Sequence, residues 1–234
     1  MKNLDISEIY AGIDYSINSP ALCVWNPLDN TWIFTAFIND KERHDYSKHS
    51  NRKIFRHYKA IEKLSEKNKD IFFCCYNGGY HDEDFIKENQ KMANAGRELS
   101  ILILKTLFEI STKINPGFTK VNIALEGASF QSKERNSTDL NMFNGMLRSA
   151  IAQTYGCESL YVFPPSSVKK TAGKGNFNKG QMIDAFLGKE KLKGNPLYEY
   201  IRDNYTAADK YIKPIDDLAD SFWLVETLKE YLAK

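Results

Sequence analysis

The chain has 234 residues, of which 42% are hydrophobic and 26% are charged, the composition of a globular protein large enough for one substantial domain. No apolar run approaches the roughly 18 residues of a membrane span, and the first ten residues contain no apolar signal region. We therefore expect a cytoplasmic protein with no membrane contact. The four cysteines form no C-x-x-C pair, so reduced thiols are expected and a zinc site is not.

The net charge of +2 identifies no partner by itself, but the basic residues are unevenly distributed. Residues 41–70 hold ten Lys or Arg against five Asp or Glu, and 163–181 hold four Lys and no acid. A charge run of this kind is often only a solvated face, and for 41–70 that interpretation remains open. The second cluster has further features, described below.

In chain order, short apolar runs predict strands and longer periodic segments predict helices. Strands are predicted at 10–16, 21–26, 31–38, 71–76, 121–127 and 159–165, the second and third forming a hairpin around the turn sequence PLDN. Helices are predicted within 41–70, at 84–113, at 138–155 with Thr138 or Asp139 as the cap, in two shorter pieces after 165, and at 216–232. This order indicates one mixed α/β domain over 1–234, with an insertion at about 41–90.

Acidic residues fall at the ends of these predicted elements. Asp14 lies near the end of the first strand and Glu126 ends a later one, so both carboxylates reach the same sheet edge if the strands are neighbours. Asp217 and Asp220 share one helix face at i and i+3, and Asp216 with Asp220 at i and i+4 nearly does. Each of these acids alone is commonly a helix cap, a turn residue or a solvated group.

Taken together, the acids predict a metal site. Two carboxylates about 4 Å apart repel by roughly 4 kcal/mol at an effective dielectric of 20. A divalent cation removes that repulsion, and oxygen ligands suit Mg²⁺ or Mn²⁺. Two such ions about 3.5–4 Å apart form the arrangement used for in-line phosphodiester cleavage.

Five separated pieces of the sequence resemble one family in the right order. GIDYS, LEGASF, GMLRSAI, FPPSSVKKTAGKGNFNKGQM and DDLADSF are similar to motifs of the RuvC family of Holliday-junction resolvases. The resemblance covers the start of the chain and most of 95–234. It implies an RNase H-like fold, an α/β fold whose mixed five-stranded sheet is flanked by helices.

The resemblance also implies an activity and its residues. The chain is expected to be a crossover junction endodeoxyribonuclease that uses two Mg²⁺ ions per active site, with Mn²⁺ able to substitute, and that acts on branched DNA such as a four-way junction. The expected metal ligands are Asp14, Glu126, Asp217 and Asp220. Lys179 is expected to act in catalysis beside them, and Lys169, Lys170, Lys174 and Phe130 to contact DNA. Asp216 breaks the D-x-x-D register and is left out.

The piece GMLRSAI resembles the helix through which the family forms dimers, so a homodimer is expected. Helix 138–155 carries an apolar stripe suited to that role, formed by Leu140, Phe143, Met146 and Leu147. The alternative is that this stripe packs on the sheet of its own chain.

The sequence departs from the family pattern in two places. Ser129 stands where the family has a junction-contacting aromatic residue, and Phe130 follows it. The first two acids are about fifty residues further apart than in the compact bacterial enzymes, and the extra segment contains the acidic piece YHDEDF. Divergent members of this kind are typical of bacteriophages, so a phage origin, with location in the host cytoplasm, is expected.

Three alternatives remain open at this stage. The chain is a nuclease for other branched or flap DNA, a DNA-binding relative without activity, or an ATP-binding protein, since GIDYS also resembles the first phosphate loop of sugar kinases and actin-like ATPases. The last group needs a second copy of the fold and glycine-rich adenosine loops, which the sequence does not show. A relative without activity is expected to have lost acids, and all four are present.

Overall fold

A computed structural model describes residues 4–49, 51–127 and 135–234, with the backbone alone for 135–138. Its sheet has six strands: β1 (Glu8–Asp14), β2 (Ala21–Asn26), β3 (Thr31–Asn39), β4 (Ile71–Tyr76), β5 (Lys120–Glu126) and β6 (Leu160–Phe163). Their order across the sheet is β4-β3-β2-β1-β5-β6. β2 runs antiparallel to both of its neighbours, and the remaining neighbouring pairs are parallel.

The α-helices of the described chain are α1 (Asp40–Lys48), α2 (Arg56–Ser65), α3 (Phe85–Ile114), α4 (Arg135–Tyr155), α5 (Pro165–Ala172), α6 (Lys179–Leu187), α7 (Pro196–Asn204) and α8 (Ile215–Leu232). None of them, within the described residues, is both long and apolar enough to cross a bilayer. α4 begins at Arg135, so the prediction of Thr138 or Asp139 as its cap was wrong. Asp139 instead accepts a hydrogen bond from Tyr80 Oη at 3.1 Å, a tertiary contact made from within the helix.

Side-chain alternation along the strands divides the core into two layers. Tyr10 on β1 and Ala124 on β5 belong to the layer that packs against α5, α6, α7 and α8. Ile13 and Leu125, which lie an odd number of residues away on the same two strands, belong to the layer that packs against α3 and α4. Side chains alternate strictly between the two faces of a strand. A residue an even number of positions from Tyr10 or Ala124 on the same strand therefore faces α8, including a residue at the strand end.

The predicted α/β fold class, a mixed sheet flanked by helices, is confirmed. The sheet has the six strands predicted from the apolar runs, one more than the five that the family resemblance implied, because Ile71–Tyr76 pairs in parallel with the outer edge of β3. That pairing satisfies the backbone groups of an edge strand that would otherwise be open. β4 comes from the range 41–90, whose status as an insertion stays a prediction. All four cysteines are free, as expected.

One glycine allows the last helix to lie directly on the sheet. A Cβ on Gly12 of β1 would lie 2.2 Å from the carbonyl oxygen of Ser221 and 2.9 Å from Leu224 Cβ, both on α8. Only a residue without a side chain permits that approach. The close contact brings the first turns of α8 over the end of β1, where Asp14 lies.

Candidate active site

Two carboxylates end neighbouring parallel strands on the same face of the sheet. Asp14 is the last residue of β1 and Glu126 the last of β5, and the preceding residues Ile13 and Leu125 are register partners. Each acid lies an even number of residues after Tyr10 or Ala124 on its strand, so both are directed to the side of the sheet covered by α8. The sequence-based prediction that the two carboxylates meet at one sheet edge agrees with this geometry.

A pocket of about 220 Å³ opens at this edge. It is lined by three acids, two lysines and three other residues, namely Asp14, Glu126, Asp220, Lys169, Lys179, Pro165, Val168 and Met182. Three of the four predicted metal ligands, together with two of the predicted basic residues, therefore line one cavity.

The carboxylates of this pocket are electrostatically strained. Burial raises the pKa of Asp14 well above its usual range, and repulsion by Asp217 and Asp220 raises it further. Burial also raises the pKa of Asp220 to about 7, an effect that Lys179 opposes and Asp217 reinforces. Burial raises the pKa of Glu126, partly offset by Lys169 and Lys179. Such strain is typical of groups that a cation or substrate would stabilise.

Asp217 occupies a different position from the other predicted ligands. Its side chain is only 2% exposed and is not part of the pocket lining. Its Oδ2 accepts a hydrogen bond from Ser19 Oγ at 2.9 Å, and its Oδ1 accepts one from Lys213 Nζ. Burial and the adjacent Asp216 raise the pKa of Asp217, while Lys213 and Lys179 oppose the rise. Both carboxylate oxygens are thus already bonded within the protein.

Lys179 forms an ion pair that the sequence did not suggest. It is the first residue of α6, whose start is fixed by a capping box between Asn178 and Gln181. Its Nζ donates to Oδ2 of Asp216, a carboxylate whose side chain is 2% exposed. Burial acts to lower the pKa of Lys179, but Asp216 and Asp217 more than offset it, so the pKa is raised and the ammonium stays charged.

Three of the predicted DNA contacts, all lysines, belong to the described part of the chain. Lys169 lies in the last turn of α5 and lines the pocket, whereas its neighbour Lys170 is exposed. Lys174 lies in the exposed loop between α5 and α6. Phe130 lies outside the described residues. The lysines therefore extend from the carboxylate edge onto the surface beside it, a distribution suited to phosphate contacts.

The donor chemistry of the site fits hard divalent cations, which take carboxylate oxygens. The raised pKa values of Asp14, Glu126 and Asp220 express burial and repulsion that such a cation would relieve. In the arrangement observed over 4–49, 51–127 and 135–234, however, no three His, Cys, Asp or Glu side chains converge closely enough to hold one ion. The residue types fit the ion, and their side chains would have to rotate to bind it.

Sequence reasoning missed three residues that contact the predicted ligands and Lys179: Ser19, Lys213 and Asp216. Lys213 precedes Asp217 by four residues, a spacing that favours an ion pair at the start of a helix. The sequence alone could therefore have predicted this pair. Ser19 is 198 residues from Asp217 in the chain, and no local pattern links the two. Asp216 was set aside because of its register, yet it is the residue that pairs with Lys179.

A second surface lies on the opposite side of the sheet, between α3 and α4. Phe143 and Leu147 are fully buried in the core of their own chain, as the alternative to the dimer interpretation holds. Met146, by contrast, lines an open groove of about 940 Å³ together with exposed apolar residues of both helices. Those residues include Ile101 at 50% exposure, Phe108 at 55% and Met142 at 39%.

Comparisons with known proteins give the following similarities. No family model matches the chain, and no curated protein matches it. Among solved structures, it is similar to the structure of Thermus thermophilus RuvC, with 14% sequence identity and a TM-score of 0.42, over 96% of this chain and 95% of that one. It is also similar to T. thermophilus RuvC in complex with a Holliday junction substrate, with 15% identity and a TM-score of 0.43, over 96% and 94% of the two chains.

Proposed function

We propose that this protein is a metal-dependent endonuclease that cleaves phosphodiester bonds in branched DNA, with four-way junctions as the expected substrate. The observation that carries the proposal is the pocket at the sheet edge, where Asp14, Glu126 and Asp220 lie with Lys169 and Lys179. The motif order in the sequence supports the same activity.

Each residue of the pocket has a role that follows from its position. Asp14, Glu126 and Asp220 would rotate to bind Mg²⁺ or Mn²⁺, with Asp217 completing the set after its bond to Lys213 is broken. Two ions bound there supply the Lewis-acid chemistry of in-line phosphodiester cleavage. Asp217 is the ligand candidate of the adjacent pair, because its charge acts on Asp14 and it shares a helix face with Asp220 at i and i+3.

The lysines bind the DNA and stabilise charge. Lys179, fixed at the start of a helix beside the acids, would offset negative charge that grows on the scissile phosphate. Lys169 would contact the phosphate at the pocket mouth. The exposed Lys170 and Lys174 would bind flanking phosphates without reading sequence.

We further propose that two copies of the chain associate through the groove between α3 and α4. Exposed large apolar side chains line it on both helices, as expected of a surface that is covered in the working protein. A symmetric pair would present two carboxylate pockets to one four-way junction. The contact surface of each copy would consist of Ile101, Phe108, Met142 and Met146. Phe143 and Leu147 are buried beneath it.

A panel of synthetic DNAs tests the function. Four-way, three-way, flap and duplex DNAs of matched length are incubated with the protein in Mg²⁺, and cleavage products are resolved on denaturing gels. Cleavage of the four-way junction ahead of the duplex supports the proposal, and omission of the metal should stop it. Preferential cleavage of flaps assigns another branched substrate. Junction binding without cleavage in either Mg²⁺ or Mn²⁺, or metal-dependent ATP turnover instead, overturns the nuclease assignment.

A further inference from the structure

Two adjacent aspartates and two lysines form a closed group beside the carboxylate pocket. Lys179 Nζ pairs with Asp216 and lies 4.0 Å from Asp217 Oδ1. Lys213 Nζ pairs with Asp217 and lies 3.8 Å from Asp216 Oδ2. Both aspartate side chains are 2% exposed, whereas the lysine side chains are 54% and 41% exposed. The aspartate side chains are therefore buried at the start of α8, and the lysine side chains reach them from solvent.

Asp216 has no direct access to the pocket. It is not among the residues that line the cavity, although Lys179 is. Its Oδ1 is buried and has no hydrogen-bond partner among the described residues, and its Oδ2 is held by Lys179. A buried carboxylate of this kind requires a counter-charge, and Lys179 is its closest one.

The same lysine is also attracted by the pocket. Its positive charge already acts on Glu126 and Asp220, because it lowers the pKa of both carboxyls and so partly offsets the rise caused by burial. A lysine side chain is long and flexible, so without another anchor its ammonium would move toward those two carboxylates. There it would occupy the space in which a metal ion or phosphate has to bind.

We propose that Asp216 is a positioning residue that holds the Lys179 ammonium at the rim of the carboxylate pocket and keeps it from pairing with Asp220 and Glu126. This inference rests on the proposed function for the identity of the substrate, but the ion pair itself does not depend on it. Asp216 acts through Lys179 and has no contact of its own with the reacting groups.

A double-mutant cycle tests this role. Asp216→Asn, Lys179→Met and the double variant are compared with the parent protein, with Asp184→Asn, an exposed acid on α6, as the matched neutralisation control. Two quantities are measured: the single-turnover rate on a four-way junction in Mg²⁺, and the affinity for Mn²⁺ without DNA by isothermal titration calorimetry. The cycle isolates the coupling between the two residues.

Asp216→Asn should lower the rate and the Mn²⁺ affinity about tenfold, the low end of the range for loss of an outer partner of a metal site. In the Lys179→Met background the same change should have no effect on either quantity, and Asp184→Asn should behave as the parent. Equal losses with and without Lys179 would mean that Asp216 acts by its charge alone and would overturn the proposal.

Two further results remain decisive. If Asp216→Asn fails to fold by circular dichroism, the cycle is repeated with Asp216→Glu, which moves the carboxylate by one methylene without removing it. The shift should then slow cleavage only when Lys179 is present, and a loss independent of Lys179 contradicts the positioning role. If the parent cleaves no DNA, the nuclease proposal fails, and the Mn²⁺ measurements still decide the role of Asp216.

Discussion

At the scale of single residues, the site is defined by acids placed where they repel one another. Asp14 and Asp220 are partly exposed, and desolvation together with repulsion from neighbouring carboxylates raises the pKa of both. Such carboxylates cost free energy of folding, and the cation binding proposed above would relieve that cost. Removing one charge should therefore harm activity and leave the fold intact.

Asp14→Asn, Glu126→Gln and Asp220→Asn should each abolish metal-dependent cleavage while binding to a four-way junction persists. Relief of charge repulsion should leave the free energy of unfolding at pH 8 equal to or above that of the parent. Gel-based cleavage, fluorescence anisotropy in Ca²⁺ and urea titration measure the three quantities. Asp203→Asn, an exposed acid on α7, serves as the control. Activity within tenfold of the parent, or a variant that unfolds, would contradict the assignment.

The lysines should separate into two classes. Lys179→Ala should slow single-turnover cleavage by ~10²-fold and change junction affinity only a few-fold, because its charge acts where negative charge grows in the transition state. Lys170→Ala and Lys174→Ala should weaken binding and each lower the slope of log affinity against log salt by about one. Equal losses of affinity in all three variants, with cleavage rates unchanged, would make Lys179 an ordinary backbone contact.

At the scale of elements, the contact between β1 and α8 assembles the site. Gly12→Ala would place a methyl group against the Ser221 carbonyl, and the helix would have to move. Overpacking of this kind costs about 1–3 kcal/mol, and here it also displaces Asp217 and Asp220 from Asp14. We expect a lower midpoint in urea and a cleavage rate reduced beyond the loss of folded protein. Gly117→Ala, where the nearest atom to an added Cβ would be Asn115 Oδ1 at 4.0 Å, is the control and should match the parent.

A buried histidine joins α2 to α7. His57 Nε2 accepts a hydrogen bond from Arg56 Nε at 3.1 Å, so the tautomer protonated at Nδ1 faces Tyr200 Oη at 2.7 Å. Burial and the Arg56 charge lower the pKa of His57 to about 4. The ring is therefore neutral in the folded chain at pH values where it is protonated in the unfolded chain.

This difference makes stability depend on pH. Below about pH 6.5 the unfolded chain binds a proton that the folded chain does not, so the free energy of unfolding falls as pH decreases, by about 2 kcal/mol at pH 5. Urea titrations at pH 7.5 and pH 5 should show that His57→Gln removes this share of the pH dependence. His44→Gln, at an exposed position, should retain it. The same pH dependence in parent and His57→Gln would show that another group is responsible.

At the scale of the whole molecule, the sheet separates two surfaces for which we propose different roles. The carboxylate pocket and its lysines lie on the α8 side, and the apolar groove between α3 and α4 lies on the other. A dimer formed through that groove leaves both pockets free for DNA.

Phe108→Glu should convert the dimer to a monomer, because a carboxylate placed in an apolar interface loses its hydration without gaining a partner. Sedimentation velocity at micromolar concentration measures the change. Phe85→Glu is the matched control, since Phe85 is a 73% exposed aromatic residue on the same helix outside the groove. A parent protein that sediments as a monomer and still cleaves junctions would contradict the dimer.

The sequence alone determined the class of elements and the acids of interest. Apolar runs gave the strands to within about two residues, and helical spacing together with motif order identified Asp14, Glu126, Asp217 and Asp220, because periodicity and motifs are local properties. The pairing of Ile71–Tyr76 with β3, the bond from Ser19 to Asp217 and the ion pair of Lys179 with Asp216 were decided by the tertiary structure. These contacts join residues between 37 and 198 positions apart, and packing alone brings such residues together.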